Sequence, residues 1–405
     1  MIQNYLVEIA TAISLISILM LLFSRKLHHN LYWRAMSIPL SSIIGSGFII
    51  MSPLLWMLVG KWSVLVLMGI IILSYQIGDV LRFNIQHVEP MIAQKDTPMF
   101  FKGLASVSYF SLGLSYLVSI AFYIHLLSAF FLSLFGVTAE IAKDLLSSSI
   151  LIMIGLLGYL RGITHLEFIG RIAVNVKIAL ILSLCFGVFA YVWYHQGFQY
   201  ATQPVCPGLT FTSLKKIAGI LLLIQGFEIS RYLGHQYSGP VRIESMKYAQ
   251  IFSSLVYIFF VWCMMFVLGH VTTVTETTLI QALSGVSPLL ALVLLGGGIF
   301  SQFSSALADT TGCNGILLES LKNKLSMRHG YIVLTCVSLI IIWSTNVLEN
   351  ITLASRLFSF YYFLQTLEAL YVLIKQPQKQ WLHIVRFILV SFAMMFVFLC
   401  AQSSG

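Results

Sequence analysis

The stretch IIGSGFII, residues 43–50, places two glycines near the middle of a long apolar segment. A second apolar segment contains LLIQGFEI, residues 222–229, with Gly226 at a similar point. Glycine inside a helix costs roughly 1 kcal/mol relative to alanine. Two such weak points predict membrane helices that break midway. The alternative for each stretch alone is close helix packing through small residues, which is common in membranes.

The composition is that of a membrane protein with many spans. The chain has 405 residues, of which 59% are hydrophobic and 9% are charged, whereas soluble domains have about 25% charged residues. The formal net charge of +9 would suggest nucleic-acid binding in a soluble chain. In a membrane protein it is better explained by the excess of basic residues in cytoplasmic loops, so no nucleic-acid partner is expected.

A membrane helix needs about 20 mainly apolar residues. The sequence predicts twelve such segments, at about 5–24, 35–58, 62–83, 101–135, 146–161, 169–194, 213–235, 247–269, 287–320, 330–346, 350–374 and 381–401. With the N-terminus outside, most of the 23 lysines and arginines fall in cytoplasmic segments, as expected for an inner-membrane protein. Both termini are then predicted to lie outside.

The two weak points are predicted to belong to an inverted repeat. Gly47 aligns with Gly226, and Phe48 aligns with Phe227. Each broken helix is predicted to be the first of a unit of five helices. The broken helix of the first unit enters the membrane from the cytoplasm, and that of the second unit enters from outside. The predicted units are an additional helix, two five-helix repeats and a further additional helix, at 1–32, 33–196, 197–375 and 376–405.

A break inside a membrane helix frees backbone N–H and C=O groups, which are costly in hydrocarbon unless they meet a ligand, an ion or another protein group. Freed N–H groups favour a carboxylate, and freed carbonyls favour a cation. Paired breaks are typical of the binding site of a secondary transporter. The predicted substrate-binding residues are Ile44, Gly45, Ser46, Gly47, Phe48, Gln225, Gly226, Phe227 and Glu228.

These residues resemble the amino acid–polyamine–organocation superfamily, whose members share the leucine-transporter fold. The match rests on residues 44–48 in the first core helix and 226–228 in the sixth. The stretches 158–181 and 231–249 also resemble the family, although the second lacks its usual acidic pair. The resemblance covers about residues 33–374. It implies an all-α membrane protein with a 5+5 inverted repeat and one extra helix on each side of the ten-helix core.

Lys177 lies in an otherwise apolar helix, where an ionisable side chain is a candidate functional group. In some members of the family, a lysine at the similar place occupies the position that sodium takes in sodium-coupled relatives. The resemblance then places Lys177 near Ser304, Ser305 and the carbonyls just before Gly45. Burial favours the neutral form of a lysine, which suits reversible protonation. The alternative is that Lys177 extends to the inner membrane surface.

Asp309 follows Ser305 by one helical turn and is a second intramembrane charge. It is predicted to pair with Lys177 or to serve the ion route; a position at the cytoplasmic end of its helix is the alternative. Lys177, Ser304, Ser305 and Asp309 form the predicted ion-coupling set. Glu228 directly follows the second break and is expected to orient the broken backbone.

The sequence therefore predicts a transporter for an amino acid or a related small organic amine, coupled to protons in preference to sodium. The alternatives are a membrane sensor with the transporter fold and a transporter for an inorganic cation. No catalytic, phosphate-binding or metal-ligand motif was found, so neither an enzyme nor a resident metal or cofactor is expected.

Overall fold

The computed structural model describes residues 2–45, 47–92, 94, 96–161, 163–196, 210–234, 236–269, 274–275, 277–320, 326–376 and 380–402. The regular elements of these residues are all helices. The principal α-helices are α1 (Ile2–Leu22), α2 (Leu31–Ile43), α3 (Gly47–Val59), α4 (Ser63–Phe83), α5 (Met99–Ser133), α6 (Glu140–Arg161), α7 (Ile163–Tyr191), α8 (Phe211–Gly219), α9 (Gly239–Met264), α10 (Pro288–Ser320), α11 (Met327–Ile342), α12 (Val347–Lys375) and α13 (Trp381–Cys400).

Nine helical stretches of the described chain are long and apolar enough to cross a membrane. One of them, Gly47–Ile92, contains both α3 and α4. Three shorter helices lie outside these nine stretches. Helix α2 is the first half of one broken helix, α8 begins a second broken helix, and α11 is a short apolar helix. The order of these segments is compatible with the predicted twelve membrane helices.

Local sequence explains where several helices begin. The Asn30 side chain accepts a hydrogen bond from the Trp33 backbone at the start of α2. At the start of α12, Asn346 and Glu349 form a reciprocal capping box. Both arrangements satisfy N–H groups that have no partner within the helix itself.

Helix α5 lies at the centre of the bundle, where its second half is almost fully buried. It packs mainly against α10 and α12, while α10 also packs against α7. The two helices outside the ten-helix core lie at its periphery: α1 packs on α7, and α13 packs on α12. Their exposed apolar side chains, such as Met20 and Phe392, suit contact with lipid.

The second broken helix departs from the sequence prediction. Its α-helical part ends at Gly219, six residues before the predicted break at Gln225. The freed Gly219 carbonyl accepts a hydrogen bond from Ser355 Oγ on α12 (2.9 Å). The chain continues as short 3-10 turns, Leu221–Ile224 and Phe227–Tyr232.

Candidate functional site

The first break separates α2 from α3, between Ile43 and Gly47. Ser46 lies outside the described residues. The last carbonyls of α2 have no helical partner, and side chains from other helices bind them instead. The Ser41 oxygen accepts from Lys177 Nζ (2.6 Å) and Ser305 Oγ (2.7 Å), the Ile43 oxygen from the Tyr257 hydroxyl (2.6 Å), and the Ile44 oxygen from Ser301 Oγ (2.9 Å).

The second break has an unusual backbone at Gly226, whose φ angle is +118°. This is a conformation that residues with a Cβ atom rarely adopt, and it lets the chain turn between the two 3-10 segments. The Leu223 carbonyl just before it accepts a hydrogen bond from the Tyr257 hydroxyl (2.8 Å).

The two breaks pack directly against each other through their glycines. A Cβ atom on Gly47 would lie 2.5 Å from the Leu223 carbonyl oxygen. A Cβ atom on Gly226 would lie 2.5 Å from Ser42 Oγ and 2.7 Å from the Ile43 backbone nitrogen. Both distances are too short for any larger residue, so this joint requires glycine on each side.

Tyr257 on α9 joins the two breaks, because its one hydroxyl lies within hydrogen-bonding distance of the Ile43 and Leu223 carbonyls. The residue is 2% exposed. Tyr257 was not predicted as a site residue, since a tyrosine within an apolar helix carries no distinctive signal.

The Tyr257→Phe variant is expected to lower the thermal unfolding midpoint of the purified protein. It leaves two buried carbonyls without their donor, at a cost of about 1–3 kcal/mol. The matched control is Tyr248→Phe on the same helix, because Tyr248 is 48% exposed. Equal midpoints for the two variants would contradict the structural role of the Tyr257 hydroxyl.

Glu228 is fully buried, and it binds the backbone of the second break. Its carboxylate accepts hydrogen bonds from the Gly226 backbone nitrogen (3.0 Å), the Tyr362 hydroxyl (2.6 Å) and the Tyr116 hydroxyl (3.3 Å). Phe227 stacks on the Tyr362 ring, with centroids 5.8 Å apart. Glu228 therefore lies where it fixes the break against α5 and α12.

Two amide side chains near the breaks are buried and have no hydrogen-bond partner among the described residues. They are Gln225 in the second break and Gln302 on α10. The turns of α10 on either side of Gln302 contact the first broken helix: Gly298 approaches Ile49, and Ser305 approaches Gly45. Unpaired buried amides are costly, which makes both of them candidates for contact with a bound molecule.

Lys177 is fully buried, so its amine does not reach the membrane surface and that alternative is wrong. Besides the Ser41 carbonyl, the amine donates to Ser304 Oγ (2.9 Å). Ser304 in turn donates to the Ser301 carbonyl (3.0 Å). The amine therefore links α7 to the broken end of α2 and to α10, with oxygen ligands that would also suit a small metal cation.

Asp309 is also inside the bundle, with 1% of its surface exposed. Ser42 Oγ donates to Oδ1 (2.9 Å), and Ser119 Oγ donates to Oδ2 (2.5 Å). The ion pairs between described residues do not include Asp309, so the predicted pairing with Lys177 is not formed in this conformation. Ser42 and Ser119 were not selected from the sequence.

A cavity of about 860 Å³ leads from one end of the bundle towards the breaks. Its lining includes Arg34 and Met327, near the starts of α2 and α11, and Arg171 in the first third of α7, and it reaches Ser41 and Ser304 in the middle. Two ligands of the Lys177 amine therefore line its deep end.

The opposite half of the bundle is tightly packed. Helix α3 is buried along nearly its whole length. Phe48 packs edge-on against Phe260, with centroids 4.7 Å apart, and the Trp56 indole donates to the Gly269 carbonyl (3.1 Å). Among the described residues, the cavity therefore reaches the breaks from one end, and packed side chains lie between the breaks and the other end.

A membrane bundle with two broken helices in contact, a buried polar centre and a one-sided cavity defines a secondary transporter. The chain belongs to the APC superfamily of transporters, because the family model described as APC superfamily transporter matches residues 25–401. A protein of Aquifex aeolicus (strain VF5), described only as uncharacterized, is 36% identical over 395 residues, which is 96% of each chain.

Solved structures share the leucine-transporter fold at low sequence identity. MhsT in complex with L-phenylalanine has a TM-score of 0.60 at 14% identity, over 94% of this chain and 99% of that one. The nucleobase-cation-symport-1 family transporter Mhp1 has a TM-score of 0.54 at 14% identity, over 90% and 92%. A Na⁺-coupled sialic acid symporter has a TM-score of 0.53 at 12% identity, over 99% and 98%.

Proposed function

We propose that this protein transports an amino acid or a related small organic amine across the inner membrane, driven by protons through Lys177. The observation that carries the proposal is the buried Lys177 amine, whose nitrogen binds the Ser41 carbonyl and Ser304 Oγ. These oxygens come from the broken end of one helix and from a neighbouring helix, which is how secondary transporters bind their coupling cations. A built-in ammonium here takes the place of a sodium ion.

The coupling step follows from these hydrogen bonds. While protonated, Lys177 holds α2 against α7 and α10. Loss of the proton removes the positive charge, and with it most of the attraction to the Ser41 carbonyl. Because Ser41 and Ser304 line the cavity, the proton has a route to solvent from this end. Release of α2 then allows the broken helices to move and the closed half to open.

The substrate is proposed to bind between 44–48 and 225–228. Backbone groups freed at the breaks suit both an ammonium and a carboxylate. The unpaired amides of Gln225 and Gln302 add donors and acceptors close to the same breaks. In support, one solved relative with this fold binds L-phenylalanine.

The predicted topology gives this conformation a direction. The end of the cavity that carries Arg34 and Arg171 would face the cytoplasm, and both termini would lie outside. The units 33–196 and 197–375 would then move relative to each other during alternating access.

Uptake into proteoliposomes tests the function. Vesicles with an alkaline interior are expected to accumulate radiolabelled substrate from an amino-acid panel several-fold above vesicles without a pH gradient. A sodium gradient alone is expected to give no accumulation. Protein-free vesicles with the same gradients are the control.

Two outcomes would contradict the proposal. Accumulation driven by a sodium gradient but not by a pH gradient would show that sodium, and not the proton, is the coupling ion. Amino-acid panel members that raise the unfolding midpoint without any flux would favour the sensor alternative.

A further inference from the structure

We propose that Arg356, Ala401 and Gln402 form a latch that holds α8 against α12 at the end of the bundle opposite the cavity. In this conformation the latch keeps that end closed, and its release frees α8 to move. The inference rests on the proposed function, because alternating access requires each end of the bundle to open in turn. It follows from a charge inside α12, from the path of the chain beyond α13 and from the neighbours of α8.

Arg356 is a charged residue inside a membrane helix. Helix α11 begins at the cavity with Met327, so α12, which follows it, begins at the opposite end, and Arg356 lies about two and a half turns into α12. A charge in such a position is costly and marks a functional group. No described carboxylate forms an ion pair with Arg356, and its guanidinium donates from Nε (3.1 Å) and from Nη2 to the Ala401 carbonyl. The charge therefore holds the chain where it leaves α13.

The chain beyond α13 reaches α8 through its backbone. Ala401 is fully buried, although α13 ends one residue earlier at Cys400. The Gln402 N–H group donates to the Lys215 carbonyl on α8 (3.1 Å). The Gln402 carbonyl lies so close to Gly219, the last residue of α8, that a Cβ atom would not fit between them. Because the Gln402 side chain is exposed, this contact depends on backbone groups alone.

The second broken helix joins two different groups of helices. Its first part, α8, packs mainly against α12 and α13, where Ser355 Oγ binds the Gly219 carbonyl (2.9 Å) and the Phe211 ring lies 6.2 Å from that of Phe396. Its later part, Phe227–Tyr232, packs mainly against α2 and α9. A movement of one group relative to the other must break the contacts between α8 and α12. The latch opposes that movement, because it ties α8 to the ends of both α12 and α13.

Hydrogen exchange of the purified full-length protein in lipid nanodiscs tests the latch. The readout is the exchange rate of the backbone amides in residues 210–224, which rises with the fraction of time that α8 is released. In Arg356→Met, which loses the charged donor, this rate is expected to rise about tenfold. Arg356→Lys keeps a charged donor and is expected to restore most of the protection. Peptides from α6 and α11, which pack on each other, report any general loosening of the bundle.

A second pair of variants tests the backbone contact of Gln402. Gln402→Pro removes the N–H group that donates to Lys215. Ala401 already has φ −56° and ψ 134°, a conformation that suits a residue before proline. Exchange in residues 210–224 is expected to rise about fivefold in this variant. Gln402→Ala is the matched control, because it keeps the N–H group and changes only an exposed side chain.

Several results would overturn the inference. They are unchanged exchange in residues 210–224 of both Arg356→Met and Gln402→Pro, equal exchange in the two Gln402 variants, or an equal acceleration in α6 and α11. The two Gln402 variants change an exposed position, so their comparison holds even if Arg356→Met does not fold. Exchange is measured without substrate, whereas absence of flux in the wild type would refute the proposed function.

Discussion

Proteoliposomes containing the Lys177→Met variant are expected to lose proton-driven accumulation, with uptake at least tenfold below that of wild type. The methionine side chain fills similar space but has no hydrogen-bond donor, so the Ser41 carbonyl and Ser304 Oγ each lose the hydrogen bond from Lys177. The Ser41 carbonyl keeps its bond from Ser305 Oγ (2.7 Å). Replacing a buried charge with an apolar side chain also need not destabilise a protein. The measurement is radiolabelled uptake with and without a pH gradient.

Exchange of labelled for unlabelled substrate at equal pH separates coupling from transport. Such exchange needs no net proton movement, so it is expected to continue in Lys177→Met. The matched control is Lys61→Met, because Lys61 is an exposed lysine in the turn before α4. Unchanged accumulation by Lys177→Met under a pH gradient would exclude this lysine as the proton carrier.

The Gly226→Ala variant is expected to produce the largest loss of stability among single substitutions at the breaks. Gly226 has a left-handed backbone, which alanine rarely adopts, and a Cβ atom at this position would overlap Ser42 Oγ and the Ile43 nitrogen. Together these effects cost about 2–5 kcal/mol. The midpoint of thermal unfolding in detergent measures the loss, and size-exclusion chromatography shows whether folded protein remains.

Two companion variants identify the cause. Gly47→Ala places a methyl group 2.5 Å from the Leu223 carbonyl oxygen without a positive φ, so it reports the packing contribution alone. Gly69→Ala is the control, because no atom lies within 4 Å of its Cβ position on α4, and alanine there is expected to stabilise by about 1 kcal/mol. Equal midpoints for Gly226→Ala and Gly69→Ala would show that the two breaks do not need the glycine contact.

The main features of the fold could be predicted because they depend on composition and local pattern. The apolar segments and their basic flanks predicted helices close to those of the structure, including a break between Ile43 and Gly47. The end of α8 was misplaced: it lies at Gly219 and not at Gln225, although a glycine that follows lysines is a common helix end. The Gly219 carbonyl is satisfied by Ser355, and that contact depends on how α12 packs.

The candidate site could be predicted only in part. Lys177 and Asp309 were selected because ionisable groups are rare in apolar helices. Their partners were harder to find: Tyr257, Ser42 and Ser119 are ordinary residues of membrane helices, and they matter only through the carbonyl or carboxylate that each one meets. The separation of Asp309 from Lys177 also depends on helix packing that no spacing along α10 reveals.

By itself, the sequence determined that this protein is a bundle of membrane helices with two breaks. The hydrophobicity of a segment, the basic residues that flank it and the free-energy cost of a glycine within its helix are all properties of that segment alone. Only the tertiary structure decided that the two breaks meet at Gly47 and Gly226, that Lys177 binds the Ser41 carbonyl, and that no described basic side chain forms an ion pair with Asp309. These features join helices far apart in the chain, and their energies depend on distances of a few ångströms that are fixed only when the helices pack.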